Sequence, residues 1–517
     1  MRIPVAFPIV LLATSLFCMT ACDFSLGFGE DGQGGSDSYS CDQPYLEFWP
    51  QQPTRAETTQ RVTVEVYCAE LVRCQPQVLF GGRQVAVIGQ SHDLGQPTDD
   101  LSLEVAVPSA WEGELAVSFR CGDVTADGGS ARYAARPVGW FASAATGYAP
   151  FAEGRCLMCP VLTEPRADGG IDAYSFGGDG ELLRRSLVPS ARGLEMDTTA
   201  LVGLPAAEQE ILLSGLLVDL DGDGRDELVY SDWATLLVGA RQADGRWTLL
   251  QQLDAADPSE QAAGAQPNEL SDDPGIWQIL AGDLDGDGDD DLVLMMDDSP
   301  PRVALNEAGR LRLLADGVLD DEALDGTGGA LADIDGDGDL DLVAGTGWLT
   351  KGAQVDYRDR IYRNRGDGRF EPAGPLSAED SNTWMIETLD MAGQRWLVAG
   401  RLDAPPAMYR ISAGGLDPLG SRGITRPGIL VAAQGPGAAT LIQLDSRIAN
   451  LADSSQTVLR RYDWDPAAGR FRLVHAGPRP EGMAGWPAPF AVLDVDGDAE
   501  PDLLTPGGLW LWREFDR

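Results

Sequence analysis

The stretch DIDGDGDLDLV, Asp333 to Val343, places an aspartate at every second position from 333 to 341 and then runs into an apolar segment. Carboxylates two residues apart in a tight turn lie a few ångströms from one another and repel when no counter-charge is near. Gly336 and Gly338 free the backbone to curl, so the carboxylates can converge. A cation belongs at the point of convergence.

The pattern recurs as DLDGDGRDELV from Asp219, DLDGDGDDDLV from Asp283 and, more loosely, DVDGDAEPDLL from Asp494. Alternating acids with interposed glycines suit a hard ion such as Ca2+, which takes about six to eight oxygen ligands. An EF-hand loop is excluded on two grounds. It needs a glutamate at the twelfth place, where this chain has Tyr230, Leu294, Ala344 and Thr505, and it needs flanking helices. A short Leu/Val run follows each loop instead, which predicts a strand. The calcium-binding nonapeptide of β-helices is excluded as well, because its paired leading glycines are missing.

These loops resemble those of FG-GAP or VCBS repeats, the blades of integrin-α-type β-propellers. The resemblance implies that acids at the first, third, fifth and ninth places, with the backbone carbonyl of the seventh, bind calcium at about four sites. The first set is then Asp219, Asp221, Asp223 and Glu227 with the Arg225 carbonyl, and the second is Asp283, Asp285, Asp287 and Asp291 with that of Asp289. The third is Asp333, Asp335, Asp337 and Asp341 with that of Asp339, and the fourth is Asp494, Asp496, Asp498 and Asp502 with that of Glu500. Acidic surface turns without metal are the competing reading. Four copies, each running into a strand, weigh against it.

A chain of 517 residues is long enough for two or three domains and a large core. Its net charge of −43 makes nucleic acid and anionic lipid headgroups poor partners. Four divalent ions would offset only eight of those charges, so most of the acidity serves something other than the loops. Lys351 is the only lysine, for which genome composition is a sufficient account.

The opening MRIPVAFPIVLLATSLFCMTAC has a basic residue, an apolar run too short for an ordinary membrane span and small residues before a cysteine, which is the architecture of a signal peptide. Its end, MTAC, resembles a bacterial lipobox, with Met19 in place of the usual leucine. The resemblance implies cleavage after residue 21 and lipid attachment at Cys22, hence an exported protein of the bacterial cell envelope anchored to a membrane. Residues 22–40, rich in Gly, Ser and Asp, read as a flexible tether. Cys41, Cys68, Cys74, Cys121, Cys156 and Cys159 remain, and six cysteines in an exported chain suggest disulfides of open connectivity. Cys156 and Cys159 form a CxxC. With no second such pair and only His92 and His475 in the chain, a local disulfide is a better reading than zinc.

From 41 to 145, runs such as RVTVEVYC, RQVAVIG, LSLEVAVP and GELAVSFRC alternate apolar and polar residues at period two between Gly/Pro breaks, the pattern of a half-buried antiparallel sandwich. Their order resembles the immunoglobulin-like IPT/TIG domains of cell-surface proteins. From 150 to 517 a unit of roughly fifty residues recurs, each with several strands, as in a propeller or solenoid. The loops begin at 219, 283, 333 and 494, and the last gap has room for two units whose loops have decayed, near Leu389 and Ala439. With a first unit around Cys156 to Val188 the count is seven, with six and eight the alternatives. The expected fold is therefore all-β, an immunoglobulin-like β-sandwich followed by a seven-bladed β-propeller. The terminal GGLWLWREFDR stops midway through a unit, as in a ring that closes by pairing its last strands with its first.

Two other signals are weaker. The RGD of Arg365 to Asp367 sits in NRGDGRF, where Gly and Asp serve a hairpin turn. The alternation of LWLW puts Trp510 and Trp512 on one strand face, which favours core packing over a sugar platform.

The function expected from these readings is that of a calcium-binding lipoprotein, a monomer, that binds a protein or glycan ligand without catalysis. The alternative is a polysaccharide-processing lyase or hydrolase built on the same propeller. Against it, the chain has two histidines and no nucleophile elbow, zincin motif or phosphate loop.

Overall fold

The computed structural model describes residues within 45–143 and 161–514, chiefly strands and the turns that join them; residues 1–44, 144–160 and 515–517, and several longer connections, lie outside the described residues. All regular structure among the described residues is β-strand, and no described helix is long and apolar enough to cross a membrane. Cys22, the tether, Cys41, Cys68, Cys74, Cys156 and Cys159 are outside the described residues.

Seven strands between Tyr45 and Ala134 form one hydrogen-bonded antiparallel array. Alternation does the work here: Val62, Val64 and Val66 on one strand, Leu101, Leu103, Val105 and Val107 on the next, and Val78, Phe80, Val117 and Phe119 beyond them bury a common core. The strand Arg83–Asp93 pairs with Gln77–Phe80 through residues 83–85 and with Asp100–Pro108 through residues 86–93. A register shift between Val87 and Gly89 interrupts the second pairing, and such irregularities bend a strand locally.

The rest of the described chain forms seven four-stranded antiparallel sheets. Six are simple meanders, spanning residues 162–200, 215–254, 276–313, 326–375, 383–420 and 429–478. The seventh takes three strands from residues 491–514 and its fourth, Gly139–Ser143, from far upstream, with Leu511 opposite Ala142 and Trp512 opposite Phe141. Residues 139–143 therefore do not join the N-terminal array, in which the sequence reading places them. Tertiary pairing overrides the local alternation, which is the same for either partner.

Each sheet buries a face against the next. Tyr174 of the first and Tyr230 of the second share a core, as do Val229 and Leu294, Met295 and Leu342, Val343 and Leu397, Trp396 and Phe471, and Leu459 and Trp512 in successive pairs. Leu511 of the seventh sheet and Leu187 of the first complete the cycle. Second strands are covered on both faces, so Asp291–Met296 and Asp341–Thr346 are buried throughout, which is why they read as unbroken apolar runs. The outer strand Trp247–Asp254 instead alternates exposed and half-buried positions after its buried first residue.

Candidate metal centres

Each acidic loop joins the first strand of a sheet to its second. The register is the same in all four: the residue before the first acid faces the ninth-place acid, as Val218 faces Glu227, Gly282 faces Asp291, Ala332 faces Asp341 and Leu493 faces Asp502. This pairing closes a loop of fixed length, and glycines at its fourth place supply the positive φ it requires.

The first-place carboxylate holds the turn together. Asp219 accepts the N–H groups of Asp223 and Gly224 at 3.1 and 2.8 Å, Asp283 those of Gly286 and Gly288 at 2.8 and 3.2 Å, Asp333 that of Gly336 at 2.7 Å, and Asp494 those of Gly497, Asp498 and Ala499 at 2.7 to 3.1 Å. The ninth-place acid is buried at the head of the second strand and accepts the N–H of the second-place residue: Leu220 to Glu227, Leu284 to Asp291, Ile334 to Asp341 and Val495 to Asp502, at 2.9 to 3.0 Å. Three of these acids accept a second N–H on their other oxygen, from Asn306, Asn364 and Trp512.

First, third and ninth places converge. Oxygens of Asp219, Asp221 and Glu227 lie within 4.8 Å of one another, and the same holds for Asp283, Asp285 and Asp291, for Asp333, Asp335 and Asp341, and for Asp494, Asp496 and Asp502. The fifth-place acids Asp223, Asp287, Asp337 and Asp498 are not in these groups. Three of them accept the N–H of the seventh-place residue instead, Asp289 to Asp287, Asp339 to Asp337 and Glu500 to Asp498, at 2.9 to 3.0 Å. Arg225 of the first loop is exposed.

Three carboxylates this close are costly when all are ionised. Burial, with neighbouring acids adding to it, pushes Asp291 up to about 6 and Asp502 up to about 7, against the N–H bonds each accepts. Glu227 and Asp341 are raised for the same reasons. An all-oxygen donor set whose acids resist ionising alone fits a hard cation, which would reverse that penalty.

Spacing along the chain did not reveal the second ring of contacts. Asn306 donates from Nδ2 to the carbonyls of Leu220 and Asp290, and Asn364 donates to that of Leu284, so each asparagine ties a loop of the preceding sheet to the next. Both follow an alternating strand and precede a Gly-containing hairpin, in LNEAG and RNRGDG, which is the signal that could have found them. Arg461 reaches Glu500 at 2.7 Å and Asp463 at 2.9 Å, with its guanidinium 4.3 Å from the Trp512 ring centre. Arg363 lies 3.3 Å from Asp335. In the first sheet the corresponding hairpin carries a cation of its own: Arg166 bonds Asp168 at 2.8 Å and Asp172 at 3.0 Å, and the Arg166 guanidinium, helped by the Gly170 N–H, lowers the Asp168 carboxyl to about 2. The RGD residues lie in the hairpin between Arg360–Asn364 and Phe370–Pro375, where Asp367 accepts from Arg369 and Arg365 pairs with Glu371. Trp510 and Trp512 are core residues.

This geometry can be set beside known proteins. Residues 283–344 match the FG-GAP-like repeat. The match runs from the first acid of the second loop into the strand after the third. No curated protein matches the chain. Among solved structures, the crystal structure of Chaetomium thermophilum Raptor is similar at 12% identity and a TM-score of 0.40, over 70% of this chain and 29% of that one. This chain thus spans under a third of that protein's length.

Proposed function

We propose that the protein is a calcium-binding lipoprotein of the bacterial cell envelope, in which an immunoglobulin-like domain and a seven-bladed β-propeller present a surface for a protein or glycan ligand, and that it is not an enzyme. The observation that carries this reading is the recurrence of one acidic hairpin, with one register, at the head of four of seven cyclically packed sheets. The match of the FG-GAP-like repeat to residues 283–344 supports the propeller, and the seven-stranded array with a strand passing between two sets of partners supports the immunoglobulin-like domain. Calcium is favoured over softer ions because the donors are carboxylates, with no cysteine or histidine among them. Export is supported by the signal-like N-terminus and by six further cysteines, a number that suits disulfides in an exported chain. Loops at the ends of such sheets are free to vary without disturbing the core, which suits them to recognition.

A glycan array and a pull-down from envelope extracts, each with calcium and with chelator, test the reading. Calcium-dependent capture of a defined glycan or protein is the expected outcome. Calcium-independent cleavage of a polysaccharide by the pure protein would replace it with the enzyme reading. For the anchor, Cys22→Ser should release the protein from membranes, and continued membrane attachment would overturn lipidation.

A further inference from the structure

A cavity of about 580 Å3 lies along the first strands of four consecutive sheets, Ile276–Gly282, Gly326–Ala332, Thr383–Met391 and Ile429–Ala432, with Val161 and Phe490 contributing from beside the first and seventh. That volume falls within the range of about 300 to 1,000 Å3 found for small-molecule sites. Much of its wall is aliphatic, including Leu280, Leu331, Met385 and Val431.

One carboxylate interrupts that wall. Glu387 is half-buried, and the Ala432 N–H of the neighbouring sheet donates to its Oε2 at 2.8 Å. Burial pushes the Glu387 carboxyl up to about 7. Among the described residues, none that lines the cavity is Arg, Lys or His. The other acid there, Asp390, is exposed and paired with Arg395 at 3.1 Å, so it does not share the situation of Glu387. The amide side chain among the described lining residues, Gln278, uses its Oε1 to accept the Gly329 N–H at 2.8 Å.

We propose that this cavity binds a small organic cation, a primary ammonium on an apolar body, with the ammonium on Glu387 and the body against the aliphatic wall. An ionised carboxylate in such surroundings is stabilised by a paired cation. A hard metal ion is disfavoured, because it wants about six or more oxygens where the described lining offers one half-buried carboxylate free of an ion pair. An anion would meet only negative charge. A neutral apolar molecule would fill the space and leave the carboxylate without a counter-charge. The site is separate from the acidic loops and from the ligand surface proposed above.

The test is calorimetric titration of the full chain at pH 8, in millimolar calcium, with cyclohexylamine and with cyclohexanol as its neutral counterpart. The amine should bind saturably and about tenfold or more tighter than the alcohol. Glu387→Gln should abolish that difference. Met385→Trp, which fills the cavity and leaves the carboxylate in place, should weaken the amine as well, and it carries the test if the Gln variant fails to fold. The proposal is overturned if the amine gives no saturable heat, if amine and alcohol bind alike, or if amine binding survives both substitutions unchanged, since attraction to the acidic surface would then account for it.

Discussion

Ala499 holds φ at 71° where the other three acidic loops have Gly224, Gly288 and Gly338 at 83°, 95° and 101°. A left-handed backbone crowds the Cβ of an L residue against the following carbonyl, at a cost on the order of 1 kcal/mol. A bound ion would pin the fourth loop in that conformation, whereas the free loop can relieve part of the strain. Ala499→Gly should therefore tighten cation binding at the fourth loop severalfold by calorimetry; unchanged or weaker binding would contradict the account. Asn306 offers a second test. Its replacement by Ala leaves the carbonyls of Leu220 and Asp290 without their donor, and unfolding by denaturant should show a loss of about 1 to 3 kcal/mol. A loss too small to measure would mean that water replaces the amide without penalty. The acids of the loops were legible because their spacing is local. The asparagines were not, because the carbonyls of Leu220 and Leu284 lie 86 and 80 residues before the side chains that hold them.

Strands read well where they are buried on both faces, as in DLVLMM and DLVAGT, and poorly where a unit lacks its acidic loop. In the fifth sheet the first two strands meet in a tight turn at Gly393, φ 73°, so nothing but the apolar pattern marks the unit. The fourth strand of the seventh sheet was the hardest to place, since Gly139–Ser143 pairs with Gly508–Glu514 across most of the chain. That pairing covers an edge. A chain begun at residue 146 should expose the backbone of Gly508–Glu514 and self-associate, as unpaired edges do; sedimentation showing a monomer as well behaved as the intact protein would contradict this. The first strand of the fifth sheet carries a pH signature through Glu387, whose carboxyl is pushed from 4.5 to about 7. The folded protein then favours the protonated form, so the contribution of Glu387 to stability is full below about pH 4.5, declines as pH rises and is gone above about pH 7. Between those limits Glu387→Gln should gain steadily on the native protein in unfolding free energy. A constant difference between pH 4.5 and 8 would show that the carboxyl is not perturbed.

The whole molecule couples these local devices. Because each sheet shares a core with both neighbours and the seventh with the first, loosening one interface would weaken the cycle, and a cation bound in any of the four loops would stabilise more than its own hairpin. In the first sheet the corresponding turn carries a side-chain cation, Arg166, paired with Asp168 and Asp172. The general plan of this part, a series of small antiparallel sheets, was legible in the repeat spacing. The N-terminal array carries a register shift between Val87 and Gly89 that period-two patterning does not encode. The central claim is that the four acidic loops are calcium sites on which the cycle of sheets depends. Thermal unfolding of the full chain by scanning calorimetry, in chelator and in about 1 mM Ca2+, tests it most directly. With dissociation constants of roughly 0.1 to 1 mM, each site would add about 0.4 to 1.4 kcal/mol. The account predicts a clear upward shift of the transition of residues 162–514, with that of residues 45–134 nearly unmoved; identical transitions in chelator and calcium would contradict it.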